Sequence, residues 1–203
     1  VVVGASLGAC MATDLFAAKP EAVASLVFLD PGIYTPAPPA VPRFVASLLI
    51  ENVLGAPSVR ESIAKQAYFD KPAQTEDAIR VGMLHVARDR WAEDSTEWLL
   101  SGGYDVSGLV PSLGAVPTLT LWGKEDEVIP PGEPLPLLLD ALPSTIFRWI
   151  ADSGHTPHLE QPKVVAQAMA AFVRGEAVPG DGNADDLVAA AARWAAAKNV
   201  LGA

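Results

Sequence analysis

The residues best suited to chemistry are a serine and two glycines near the start of this 203-residue chain. The segment Gly4-Ala5-Ser6-Leu7-Gly8 follows the apolar residues 1–3 and precedes a run of small, helix-compatible residues. A strand buried on both faces that turns directly into a helix holds such a serine in a strained conformation, and both glycines are expected to let strand and helix approach. The pattern predicts a nucleophilic Ser6 and a Leu7 N–H that stabilises developing negative charge. An ordinary glycine-rich turn with a solvent-facing serine is the alternative.

A base is the first partner that such a serine requires, because its hydroxyl is a weak nucleophile until the proton is removed. The chain contains three histidines. His155 lies in the loop after the last expected strand, at the edge where a parallel sheet presents its active site, so it is the candidate base. His158 is expected to be a structural residue of the same loop. His85 is expected to be a solvated or core residue of a helical region.

The second partner is a carboxylate that orients the base. Asp126 follows an expected strand at the same sheet edge and is the candidate, since the chain order is then serine, acid, histidine at successive strand ends. The other candidate carboxylates are Asp30, at the end of the preceding strand, and the neighbouring Glu125 and Glu127. Asp30 is expected to hydrogen-bond the backbone of the Pro31-Gly32 turn, and Glu125 is expected to face solvent.

Alternating strands and helices are expected to position these residues. The hydrophobic pattern predicts strands over 1–3, 23–29, 116–122 and 144–150 and helices over 7–18 and 163–173, with a proline-rich loop between the last two strands. A strand–helix–strand order of this kind predicts a parallel sheet. Residues 33–114, called the helical insertion below, begin with a proline-rich connector and continue with helical spacing. A linker and a C-terminal helix over 187–200 are expected in residues 175–203.

Composition excludes several classes of partner. The formal charge of −10 repels phosphate backbones and anionic lipid surfaces, so no nucleic-acid partner is expected. No apolar run approaches the roughly 18–20 residues of a membrane span. The single cysteine, Cys10, cannot form an internal disulfide and is expected to be a small core residue, which favours a reducing intracellular compartment. Three scattered histidines lack metal-ligand spacing, so no metal is expected, and acyl transfer by an activated serine requires no cofactor.

Three segments in this order resemble the α/β-hydrolase-fold serine hydrolases. They are Gly4 to Gly8, then LWGKEDEVIP over 121–130, which is similar to W-G-x-x-D-x-x-x-P, then GHTPHLEQP over 154–162, which is similar to G-H-x-x-x-x-E-x-P. The resemblance implies that Ser6 is the nucleophile, Asp126 the acid, His155 the base and Leu7 N–H one oxyanion donor. It also implies an α/β fold with a parallel sheet of about four strands and flanking helices, a core of residues 1–32 and 115–174, and a helical cap over 33–114.

The resemblance implies hydrolysis of an ester, thioester or related acyl bond through an acyl-enzyme. The Leu, Phe, Trp and Met content of the helical insertion favours a small apolar substrate. A carbon–carbon bond hydrolase, a cofactor-free perhydrolase and a non-catalytic ligand- or partner-binding protein are the alternatives within the same fold. The family's early strands and the loop with its second oxyanion donor are expected to precede Val1. The chain is therefore expected to be part of a longer protein, and by itself to hydrolyse short p-nitrophenyl esters poorly or not at all.

Overall fold

A four-stranded parallel sheet forms the centre of the computed structural model, which describes residues 1–182. Its strands are β1 (Val2–Ala5), β2 (Leu26–Leu29), β3 (Thr118–Gly123) and β4 (Ile146–Ile150). They are hydrogen-bonded side by side in chain order, and every pair is parallel. The carboxyl ends of all four strands therefore meet at one edge, which confirms the α/β architecture expected from the sequence. The helix expected over 187–200 lies outside the described residues.

Eight α-helices accompany the sheet within the described residues. They are α1 (Leu7–Ala18), α2 (Arg43–Leu49), α3 (Pro57–Gln66), α4 (Glu76–Gly82), α5 (Trp91–Leu100), α6 (Pro134–Ala141), α7 (Pro157–Glu160) and α8 (Pro162–Arg174). Helices α2 to α5 lie in the helical insertion, where a π-helical turn, Ile50–Leu54, extends α2. None of the helices in residues 1–182 is long and apolar enough to cross a membrane.

Hydrophobic clusters cover both faces of the sheet. Leu26 and Phe28 of β2 belong to one cluster, with α1 and α6, whereas Val27 and Leu29 belong to the other, with α8. Successive side chains of a strand point to opposite faces, so a central strand covered on both faces is apolar at every position. Cys10 is fully buried in the first cluster, as expected for a small core residue.

Strand β1 differs from the expectation of a strand buried on both faces. Within the described chain it pairs with β2 alone; Val3 is 46% exposed, and Val1, which precedes the strand, is 57% exposed. An apolar run predicts a strand, but its burial depends on neighbours that the run does not specify.

Helix α6 lies in the segment for which the sequence predicted a proline-rich loop, so that prediction was wrong. Pro134 occupies the first position of the helix, where a backbone N–H would make no intrahelical hydrogen bond, so its absence in proline costs nothing. Pro136 lies within the same first turn. Leu135 and Leu138 then pack into the core on the α1 side of the sheet, and this burial stabilises the helix.

Candidate active site

Ser6 occupies a sharp turn between β1 and α1. Its backbone has φ of 52° and ψ of −120°, a conformation that costs a residue with a side chain about 1–3 kcal/mol. Neighbouring backbone compensates for this cost, since Ser6 N–H donates to Leu29 O at 2.9 Å and Gly32 N–H donates to Ser6 O at 3.0 Å. The strained turn is therefore held by the loop that follows β2, and it carries Ser6 beyond the carboxyl end of β1.

The two glycines of the turn have different roles. A Cβ atom on Gly4 would lie 2.4 Å from the carbonyl oxygen of Gly8 and 2.6 Å from the nitrogen of Ala9. Both of those atoms belong to the backbone of α1 and cannot move aside by a side-chain rotation. A Cβ atom on Gly8 would meet no described atom within 4 Å. The close approach of strand and helix thus requires glycine at position 4, whereas the expectation that position 8 also requires it was wrong.

The three side chains singled out in the sequence meet above the carboxyl edge of the sheet. His155 Nε2 lies 2.9 Å from Ser6 Oγ, and His155 Nδ1 lies 2.8 Å from Asp126 Oδ2. The carboxylate of Asp126 is buried, and the His155 ring is only 10% exposed. Each ring nitrogen therefore has one partner: Nδ1–H donates to the acid, and Nε2 accepts the serine proton in the neutral tautomer.

The Asp126 carboxylate is held by the loop that follows β3. Its Oδ1 accepts hydrogen bonds from the backbone N–H groups of Val128 and Ile129 at 2.8 and 2.9 Å, which leaves Oδ2 for the histidine. The neighbouring acids face elsewhere. Glu125 accepts from Ser153 N–H at 3.1 Å instead of facing solvent as expected, and Glu127 forms an exposed ion pair with Lys71.

The His155 loop is attached to the helical insertion by contacts that the sequence did not predict. His155 N–H donates to Ala67 O at 2.8 Å. Glu160 accepts from Gly154 N–H at 2.8 Å through Oε1 and from Phe69 N–H at 2.8 Å through Oε2. One carboxylate thus joins the histidine loop to the insertion. The glutamate of the G-H-x-x-x-x-E-x-P segment was the available signal.

The other two histidines lie apart from the hydrogen bonds of Ser6. Burial, and to a smaller extent the nearby His155, lower the pKa of His158, which favours its neutral form. Its structural role remains a prediction. Its Nδ1 is buried and has no hydrogen-bond partner in the described structure. His85 is exposed in the helical insertion, where its ring contacts the Arg60 guanidinium and lies 6.3 Å from the Trp91 ring.

The expectation for Asp30 was wrong. Instead of hydrogen-bonding the backbone of the Pro31-Gly32 turn, it is fully buried, and its Oδ1 accepts a hydrogen bond from Gly123 N–H at 2.8 Å. One carboxylate oxygen of Asp30, one of Asp126 and one ring nitrogen of His155 all lie within 4.8 Å of one another. These are the donor types of a divalent-cation site, although His155 Nδ1 already contacts Asp126. The absence of a metal remains a prediction.

One free backbone donor lies beside the serine. Leu7 is the first residue of α1, so its N–H has no partner within the helix, and none is recorded elsewhere among residues 1–182. Such an amide at a helix N-terminus can donate to an oxyanion formed at a substrate bound to Ser6. The role of Leu7 N–H as an oxyanion donor remains a prediction.

A pocket of about 520 Å³ is lined by Leu7, which follows Ser6 in the chain, and by Gly32, whose N–H donates to Ser6 O. Leu7, Gly32 and Ile129 line it from the core, and Tyr34 and Trp98 line it from the helical insertion. Its volume is in the range of pockets that hold small molecules. Ser6, Asp126 and His155 are not among its lining residues, so the pocket adjoins the serine through Leu7 and Gly32.

Comparison with known proteins agrees with this architecture. The model of the alpha/beta hydrolase family matches residues 1–168. The chain belongs to the alpha/beta hydrolase family. The fold of four parallel strands with flanking helices is that of the family, and these findings support a hydrolase.

Three relatives show the extent of the likeness. The chain is 28% identical over 179 residues to the alpha/beta hydrolase domain-containing protein VTE7 of Arabidopsis thaliana, with 87% of this chain and 54% of that protein covered. A thermophilic esterase from Thermogutta terrifontis matches with 25% identity and a TM-score of 0.65, over 85% of this chain and 64% of the esterase. The 2-hydroxy-6-oxo-6-phenylhexa-2,4-dienoate hydrolase of Rhodococcus sp. strain RHA1 matches in fold, with 16% identity and a TM-score of 0.64, over 85% and 63%.

The chain spans about half the length of the curated relative, 54%, and less than two thirds of the two solved structures. The fold and the family therefore follow from the comparisons.

Proposed function

We propose that this chain is the part of a serine hydrolase that carries the Ser6–His155–Asp126 triad, acting on small, apolar, uncharged esters or thioesters. The observation that carries the proposal is the 2.9 Å contact of Ser6 Oγ with His155 Nε2, in a ring whose Nδ1 lies 2.8 Å from Asp126. Nucleophile, base and orienting acid in this geometry are the parts that acyl transfer requires.

The mechanism follows from these contacts. As Ser6 Oγ attacks the carbonyl carbon, its proton moves to His155 Nε2, and Asp126 stabilises the imidazolium. The carbonyl oxygen becomes an oxyanion that accepts a hydrogen bond from Leu7 N–H. His155 then protonates the leaving alcohol or thiol, which leaves the acyl group on Ser6. Water attacks this ester with His155 as the base, and release of the acid restores the serine hydroxyl.

The helical insertion acts as the cap over this site. It contributes Tyr34 and Trp98 to the pocket and holds the histidine loop through Ala67 O and Glu160. A cap that also positions the base couples substrate enclosure to the geometry of the triad. In this proposal, residues 1–32 and 115–174 are the core and residues 33–114 are the cap.

The pocket favours a neutral substrate. Asp105 and Glu133 line it, and among its described lining residues there is no lysine, arginine or histidine. A hydrogen bond from Ser107 N–H lowers the pKa of Asp105, which keeps its carboxylate ionised near neutral pH. A substrate carboxylate would therefore meet like charges without a cationic partner. The two carboxylates of the pocket thus favour an uncharged ester over a dienoate of the kind named for the Rhodococcus relative.

A fluorophosphonate probe tests the reaction, because it reacts with an activated serine without requiring turnover. We expect one label per chain, on Ser6, and no label on a Ser6→Ala variant. Full-length protein that is folded but unlabelled would favour the non-catalytic, ligand-binding alternative. The substrate class is tested with matched neutral and carboxylate-bearing acyl esters as competitors of labelling. Equal competition by both would contradict the argument from Asp105 and Glu133.

A further inference from the structure

Asp30 is a buried acid that the proposed mechanism does not use. It is fully buried where β2 ends, and its Oδ1 accepts from Gly123 N–H at 2.8 Å. Its Oδ2 is also buried, yet no donor in the described structure reaches it. A buried carboxylate oxygen without a donor is costly, so this atom requires an explanation.

The group that faces Asp30 is the carboxyl group of Asp126. Oxygen atoms of the two carboxyl groups lie within 4.8 Å of each other and of a His155 ring nitrogen. Two buried carboxylates at this range repel each other, so a proton between them relieves the repulsion. Asp126 receives three hydrogen bonds, from two backbone amides and His155, whereas Asp30 receives one, from Gly123. The negative charge is therefore better placed on Asp126.

The electrostatic surroundings of Asp30 agree with this assignment. Burial raises the pKa of Asp30 well above its ordinary value, and the charge of Asp126 raises it further. Glu160 is a third acid that acts in the same direction, and the Gly123 amide opposes them. His155 is the one basic side chain in the cluster, and its Nδ1 is engaged by Asp126.

We propose that Asp30 is a positioning residue that stays protonated and donates a hydrogen bond from Oδ2–H to the Asp126 carboxylate. This bond holds the acid in the orientation that His155 requires. Asp30 keeps its proton throughout, and the only proton that moves is the one shared by Ser6, His155 and the leaving group. The protonation of Asp30 is independent of the proposed function, whereas its effect on Ser6 rests on that function.

Asparagine is the matched substitution for a protonated aspartate. In an Asp30→Asn variant the amide oxygen can accept from Gly123 N–H, and the NH₂ group can donate to Asp126. In an Asp30→Leu variant the side chain has a similar shape but neither bond. A role that only fills space would be served by both variants, and a role that needs a negative charge would be served by neither.

The first test measures the unfolding equilibrium of the wild type and of Asp30→Asn between pH 5 and pH 8. An unfolded aspartate titrates at about 3.9, so above that pH the folded wild type holds one more proton than the unfolded chain. Its stability is therefore complete below the unfolded pKa and declines as the pH rises towards the raised folded pKa. The stability of the asparagine variant does not decline in this way. We expect the ratio of the two unfolding constants, wild type over variant, to rise by up to tenfold per pH unit.

A ratio that stays constant above pH 5 would overturn the proposal, because it would mean that Asp30 ionises normally in the folded chain. This measurement needs no catalysis. If the wild type takes no fluorophosphonate label, the proposed function fails, and the stability comparison still decides the protonation state of Asp30.

The second test measures the rate of Ser6 labelling against pH. We expect the labelling rate of Asp30→Asn to stay within about threefold of the wild-type rate and to decline at the same acid pH. We expect the labelling rate of Asp30→Leu to fall at least tenfold, which corresponds to the loss of one hydrogen bond to a charged group. Loss of labelling in the asparagine variant, or full labelling in the leucine variant, would contradict the donor role. Prior treatment with EDTA should leave the wild-type rate unchanged, and a loss would assign the cluster to a metal.

Discussion

A pair of glycine-to-alanine substitutions tests the account of the strand-to-helix turn. Gly4 and Gly8 flank Ser6 at equal distance along the chain, and the change adds the same methyl group at each position. At Gly4 the new Cβ would lie 2.4 Å from the Gly8 carbonyl oxygen, whereas ordinary contact begins at 3.4 Å. At Gly8 the new Cβ would meet no described atom within 4 Å. Gly4→Ala should therefore lower the folding stability, whereas Gly8→Ala should not.

The expected magnitudes follow from these contacts. Relief of the overlap at Gly4 requires α1 to move by about 1 Å, and overpacking of this kind costs about 1–3 kcal/mol. For a chain of this size that cost lowers the Tm by roughly 2–12 °C. A shift of about 1 Å at Ser6 would slow its labelling about 100-fold. Alanine at Gly8, the second residue of α1, should leave the stability unchanged or raise it by up to about 1 kcal/mol.

The assays are thermal unfolding followed by circular dichroism and the rate of fluorophosphonate labelling at 25 °C, where both variants must first be shown to be folded. A Gly4→Ala variant that matches the wild type in both measurements would contradict the steric role of Gly4. A Gly8→Ala variant that loses as much stability as Gly4→Ala would mean that the close approach involves both glycines.

Two further substitutions test the parts that hold His155, with Glu127→Gln as the control, because Glu127 is exposed and its ion pair with Lys71 contributes little stability. Asp126→Asn should slow Ser6 labelling about 10⁴-fold, since an amide at this position favours the ring tautomer of His155 that cannot accept the serine proton. A labelling rate that falls less than tenfold would mean that Asp126 is not the acid of the triad. Glu160→Ala leaves the amides of Gly154 and Phe69 without their acceptor, so we expect a lower Tm and slower labelling together. An unchanged labelling rate in Glu160→Ala would mean that the histidine loop is held without the insertion.

Much of the fold could be predicted from local patterns. Helix α1 begins and ends where the sequence placed it, and β3 and β4 fall within about two residues of their expected bounds. Apolar runs and helical spacing report local structure directly. The prediction failed at α6, where two prolines in the first turn were taken as signs of a loop. The structure shows a helix there, and the burial of Leu135 and Leu138 in the core stabilises it.

The candidate site could be predicted in part. Ser6, Asp126 and His155 were identified by residue type, chain order and position at strand ends, and the structure brings them within hydrogen-bonding distance. Their role as a catalytic triad remains a prediction. Asp30 was interpreted as a turn residue and Glu160 received no role, although both are central to the loops around the triad.

Local sequence patterns were enough to identify the serine in its turn, the order of serine, acid and histidine, and the parallel sheet at whose carboxyl edge the three residues lie. These features depend on local conformation and on the rule that parallel strands end together. Contacts between distant segments establish which glycine is sterically required, which buried acid lies beside Asp126, and that Glu160 joins the helical insertion to the histidine loop. These features could not be predicted, because steric overlap, desolvation and the satisfaction of buried amides depend on distances between segments far apart in the chain.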